Sequence, residues 1–94
     1  MIDKAAIYRK ALDTYGAKAQ TLMCMEEMAE LQKELCKHAR GADNRAAIAE
    51  EIADVRITLD QMELLHECES LVANFKLAKI KRLSTRLTGG TRNG

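Results

Sequence analysis

The chain contains no proline, and its five glycines stand at Gly16, Gly41, Gly89, Gly90 and Gly94. Between them lie two long stretches, 17–40 and 42–88, with no strong helix breaker. Such stretches favour helix. Four helical segments follow. The first spans about Asp3 to Tyr15, with Asp3 as N-cap and Gly16 as stop. The second spans Ala17 to Ala39, ahead of Arg40-Gly41. The third begins at Asp43 or Asn44, both good caps, and runs to about Glu67. The fourth follows a break near Cys68–Ser70, with Ser70 as a cap, and reaches about Leu87. No strand pattern or internal repeat is visible. Short connections predict antiparallel neighbours. The expectation is an all-α single domain over 1–87, a four-helix bundle with two long central helices, and a frayed tail over 88–94.

Size limits this domain. A chain of 94 residues buries a limited share of its surface. With 3% aromatic residues, Leu, Ile, Ala and Met must fill a thin core, and self-association is a common remedy. The net charge of +1 gives no support for a nucleic-acid polymer as partner. The charge is unevenly spread: acids dominate 26–69 and bases 76–92. That split suggests an acidic and a basic element meeting around a phosphorylated ligand. Cys24, Cys36 and Cys68 form no C-x-x-C motif and are expected as reduced, packed thiols. No secretory h-region follows Met1 and no apolar run approaches membrane-span length, so a soluble, cytoplasmic protein is expected. A Gly-rich phosphate loop is absent, which excludes P-loop chemistry. No Ser or Cys has a visible triad context.

Projection at 100° per residue separates the two long helices. On the second, Cys24, Met25, Met28, Leu31 and Leu35 share a broad apolar side, with Glu26, Glu30, Glu34, Lys33 and Lys37 opposite. Met23, Met25 and Met28 are expected to fill the core. The third helix carries two apolar stripes. Ile48, Ile52, Val55, Leu59 and Met62 form one; Ala46, Ala53, Ile57 and Leu64 form the other. Arg56, Asp60, Glu63 and Glu67 lie on the solvent side. Glu51 and Asp54 lie between the stripes, where unpaired charge costs several kcal/mol, so they require a partner or a cation. One stripe is expected to serve contacts within the subunit and the other contacts between subunits. His38 and His66 are expected at helix ends or on the surface, and Tyr8 and Tyr15 at a helix interface, with nucleobase stacking the less favoured role.

Spacings of three and four place helix side chains on one face. Glu26 and Glu30, Glu27 and Glu30, and Glu51 and Asp54 have those spacings. If the two long helices pack antiparallel, four or five carboxylates converge. Such density is tolerated when a divalent cation neutralises it. All-oxygen ligands select Mg²⁺, Mn²⁺ or Ca²⁺ over zinc. Lys76, Lys79, Arg82 and Arg86 form a slowly drifting stripe on the fourth helix. Lys79 and Arg82, with Lys76, are the candidate phosphate contacts; a solvated basic helix end is the plain alternative.

The order Glu26-Glu27-Met28-Ala29-Glu30-Leu31, then Glu51-Ile52-Ala53-Asp54-Val55, resembles the signature of the MazG-like all-α nucleoside triphosphate pyrophosphohydrolases. The basic segment Phe75–Leu83 resembles that family's last helix in character. The resemblance spans about 3–87. It implies Mg²⁺-dependent cleavage of (deoxy)nucleoside triphosphates to the monophosphate and pyrophosphate, with Mn²⁺ as a substitute ion, by a homodimer or dimer of dimers. It implies Glu27, Glu30, Glu51 and Asp54 as metal ligands. Glu26 and Glu27 share the catalytic role, one orienting the attacking water; which does so stays open. Two alternatives stand beside this one: hydrolysis of a phosphoribosyl-nucleotide, and a non-catalytic helical module whose acids pair with the basic fourth helix.

Overall fold

The computed structural model describes residues 1–89. Among them every regular element is a helix: α1 Lys4–Tyr15, α2 Ala17–Ala39, α3 Arg45–Leu65 and α4 Glu69–Leu87. The tail expected to fray lies, beyond Gly89, outside the described residues.

Local chemistry accounts for most boundaries. The Asp3 carboxylate caps α1 by accepting from the Ala6 N–H at 3.1 Å. Gly41 ends α2 in the left-handed region (φ 103°), with the Ala42 N–H donating to the Lys37 carbonyl and the Gly41 N–H to that of His38. The end of α3 has the same bonding without glycine. Glu67 takes φ 50° while the Cys68 and Glu67 N–H groups reach the Glu63 and Leu64 carbonyls. This stop therefore had no glycine to announce it. Cys68, not Ser70, occupies the cap position of α4; Ser70 lies inside the helix. His66 caps the end of α3 and His38 sits in the last turn of α2, both at helix ends as expected.

The principal packing is α2 against α3, antiparallel, with α1 laid against both. Polar ties set the register. At one end the Gln20 Nε2 donates to Gln61 Oε1 at 2.6 Å, both side chains being buried. Beside it the Thr21 hydroxyl lies 3.7 Å from the Met62 sulfur. At the other end the Asn44 Nδ2 donates to the Glu34 carbonyl and to Glu34 Oε1, each at 2.9 Å. Asn44 stands at the cap position of α3, yet its side chain ties back to α2 in place of capping its own helix. Tyr8 joins α1 to α3 through a long hydrogen bond of 3.5 Å to Asp60.

The core is as thin as expected, and differently composed. Its buried members are Cys24, Val55, Gln20, Thr58 and Gln61. Met23, Met25 and Met28, expected as core filler, are exposed, because the inward arc of α2 runs through Gln20, Cys24, Glu27 and Leu31. Of the cysteines, all free, Cys24 is buried, Cys68 half-buried and Cys36 exposed, so packing as small hydrophobes holds for the first alone. The first α3 stripe is covered within the chain except at Leu59, which is 41% exposed; the second is largely open, with Ile57 44% exposed and Ala46 and Ala53 exposed. Helix α4 packs against α3 alone and buries no residue. The bundle within one chain is therefore three-helical, with α4 projecting from it. The radius of gyration is 16.8 Å, where a compact chain of this length has roughly 12 Å.

Asn44 and then Lys37 hold the Glu34 carboxyl below its ordinary range by hydrogen bonding to the charged form. A depressed carboxylate contributes stability above its unfolded pKa and loses it as pH falls through the folded value. Asn44→Ala is expected to lower the melting temperature at pH 7 by about 5 °C. The deficit shrinks in acid, where Glu34 is protonated in both proteins. Thermal melts of both proteins across the acid range test this.

Candidate metal centre

Glu27 on α2 and Asp54 on α3 stand level in the antiparallel pair, between the Gln20–Gln61 tie and the Asn44–Glu34 tie. Glu51 lies one turn from Asp54 on the same face. The three meet in the seam: one carboxylate oxygen from each lies within 4.8 Å of the others, and all three residues are half-buried.

Among the described residues no cation forms an ion pair with them. The one ion pair among the described residues joins Lys37 to Glu34 at 3.2 Å, away from the cluster. Burial, then the charges of Asp54, Glu30 and Glu26, push the Glu27 carboxyl above its ordinary range. Burial, then Asp54, Glu27, Glu30 and Glu50, do the same to Glu51. Both shifts say that ionised oxygens are crowded where water solvates them poorly. In addition, Glu51 Oε1 is buried without a hydrogen-bond partner. A buried carboxylate oxygen with no donor is costly. A divalent cation at the convergence of the three acids would offset the repulsion. An all-carboxylate donor set of this kind suits Mg²⁺, Mn²⁺ or Ca²⁺ over zinc.

The remaining acids of the motifs are placed differently. Glu30 and Glu26 are exposed and stand outside the tight group, although their charges are felt by Glu27. Glu30 is one turn beyond Glu27 on the flank of α2. Lys76, Lys79 and Arg82 are not brought to the acids in one chain, because α4 packs only against α3. Sequence reasoning missed Asn44 and Glu34, which set the register that places the acids. The signal was present, an Asn at a helix start, but capping and tying back to α2 look alike in one dimension. No family model, curated protein or solved structure matches the chain.

A carboxyl raised in the folded state favours the protonated form there. The stability it is associated with is fully present below the unfolded pKa and is lost as pH rises through the folded value. Without divalent ions, the melting temperature is therefore expected to fall as pH rises above the ordinary glutamate range towards neutrality, and Mg²⁺ is expected to reverse the fall. Glu51→Gln is expected to raise the metal-free melting temperature at pH 7 and to abolish the rise caused by Mg²⁺. Differential scanning calorimetry with and without Mg²⁺ checks both. An unchanged Mg²⁺ response in the variant counts against the centre.

Proposed function

We propose that this chain is a Mg²⁺-dependent hydrolase that cleaves the α–β phosphoanhydride of (deoxy)nucleoside triphosphates to the monophosphate and pyrophosphate. The observation that carries the reading is the convergence of Glu27, Glu51 and Asp54, together with a buried Glu51 oxygen that has no hydrogen-bond partner. The resemblance of Glu26–Glu30 and Glu51–Asp54 to the MazG-like motifs supplies the reaction class.

Glu27, Glu51 and Asp54 would hold the ion, and the resemblance adds Glu30, one turn beyond Glu27 on α2, as a further ligand. The bound ion would polarise phosphate oxygens and lower the pKa of a water. The chain's own residues do the rest. Glu26, exposed beside the cluster, is free to accept a proton from the attacking water, a role the resemblance leaves open between Glu26 and Glu27. The half-buried seam limits competing solvent around the acids and strengthens their interaction with a cation. Cations of the basic α4 such as Lys79 and Arg82, which one chain does not itself bring to the acids, would offset charge on the leaving pyrophosphate, in the manner of other phosphoryl-transfer sites.

A non-catalytic interaction module has one observation in its favour, the unpacked α4 arm. A nucleotide panel separates the readings. Pyrophosphate release from at least one NTP, dNTP or phosphoribosyl-nucleotide is expected with Mg²⁺ and not with EDTA. Glu51→Gln and Glu30→Gln are expected to lower turnover by about 100-fold or more. No turnover across the panel would rule out the hydrolase.

A further inference from the structure

A hollow of about 360 Å³ opens where α1 ends and α2 begins, lined by Tyr15, Ala19, Gln20 and Met23. A one-residue link makes it. Gly16 takes φ 92°, so the chain turns at once and Tyr15, the last residue of α1, stands beside the first turns of α2. Tyr15 does not pack at the helix interface expected for it, being 67% exposed, and Met23 is 43% exposed. No carboxylate or ammonium lines the hollow. Its walls are an aromatic ring, a thioether and a methyl group, with one amide among them. Such walls suit a flat, uncharged heteroaromatic group, stacked on the ring and read by the amide.

The amide is held in one orientation. Gln20 and Gln61 are 8% and 7% exposed, and Gln20 Nε2 donates to Gln61 Oε1 at 2.6 Å. Among the described residues this is the only hydrogen bond that the Gln20 side chain makes, so its Oε1 acceptor has no protein partner. That oxygen is not sealed off, since the unpartnered buried atoms are Asn44 Oδ1 and Glu51 Oε1. It therefore reaches solvent, and the hollow is the open space that Gln20 lines. With Nε2 tied into the seam, Oε1 is the edge presented outward. An amide fixed in this way discriminates well, because a ligand without a matching N–H leaves it unpaired.

The hollow is also aligned with the acids. Gln20 and Glu27 are seven residues apart on α2, a rotation of about 20° and a rise of roughly 10 Å. Ala19, Met23, Glu26 and Glu30 follow one another at spacings of four, three and four, so the wall of the hollow and the exposed acids share one flank of α2. A molecule with its phosphates at Glu27, Glu51 and Asp54 and a sugar lying along this flank would bring its base to the hollow.

We infer that the hollow between Tyr15, Gln20 and Met23 seats the nucleobase of the substrate, with Tyr15 stacking on its face and Gln20 Oε1 accepting from an N–H on its edge. Gln20 is then the specificity-determining residue. The identity of the ligand rests on the proposed hydrolase; the seat for a base is testable without turnover.

Isothermal titration in Mg²⁺ compares α,β-methylene nucleoside triphosphates carrying each base with inorganic tripolyphosphate. In the wild type at least one base is expected to bind about tenfold or more tighter than tripolyphosphate. Gln20→Leu and Tyr15→Ala are each expected to reduce that margin about fivefold or more, with tripolyphosphate affinity unchanged. Tyr15 is exposed, so its substitution leaves the fold intact by circular dichroism. The wild type is expected to lose the same margin when every N–H on the edge of the preferred base is methylated, and Gln20→Leu to be indifferent to those methyl groups. In turnover, Gln20→Leu is expected to raise KM with little change in kcat. Absence of nucleotide binding, no preference over tripolyphosphate in the wild type, or an unchanged margin in Tyr15→Ala overturns the seat. Turnover with a base margin that survives both substitutions retires the seat and leaves the hydrolase. Base-dependent binding that both substitutions weaken, with no turnover on any nucleotide, retires the hydrolase and leaves the seat.

Discussion

Three carboxylates held in one helix seam, with no counter-charge among the described residues, are the constraint around which this fold is arranged. Glu27, Glu51 and Asp54 repel one another where burial already disfavours their ionised forms. A small domain does not keep such an arrangement for stability. It persists because the pairing of α2 with α3 is tied on both sides of it, by Gln20 with Gln61 and by Asn44 with Glu34. Those ties are polar and directional, so they specify register where a thin apolar core specifies little.

The thin core has a second consequence. Among the described residues only Cys24 and Val55 are buried apolar side chains, while Met23, Met25, Met28, Ile57 and Leu59 remain exposed. Much of the apolar surface is therefore available for association. Helix α4 carries the same property furthest, with no buried residue and cations set into its apolar face. Charge separation along the chain, acids on α2 and α3 and bases on α4, follows the division between what packs within the chain and what projects from it.

Much of the fold was legible in one dimension. The absence of proline, Asp3 as a cap and Gly16 and Gly41 as stops mark helix limits that the structure shares to within a residue or two. The third stop, expected near Glu67, falls at Leu65; what the sequence did not show is that Glu67 itself adopts the left-handed conformation that usually calls for glycine. Projection placed Glu51 and Asp54 between apolar stripes, and they are half-buried as that position requires. The same projection put Met25 and Met28 in the core. It erred because periodicity ranks faces by hydropathy, whereas the inward arc of α2 is set by contact with α3 and includes Gln20 and Glu27.

The sequence by itself determined the helical class, the position of the breaks, the spacing of the acids on each helix and the concentration of cations in the last one. These are local properties, fixed by backbone propensity and by a period of 3.6 residues. Tertiary structure alone decided which carboxylates meet. Glu27 joins Glu51 and Asp54 while Glu26 and Glu30 stay outside, because a difference of one residue along a helix turns a side chain by 100° and only the α2–α3 register selects the angle that faces inward. It also decided that Lys76, Lys79 and Arg82 stand apart from the acids within one chain, since α4 leaves the left-handed Glu67 in a direction that packs it against α3 alone.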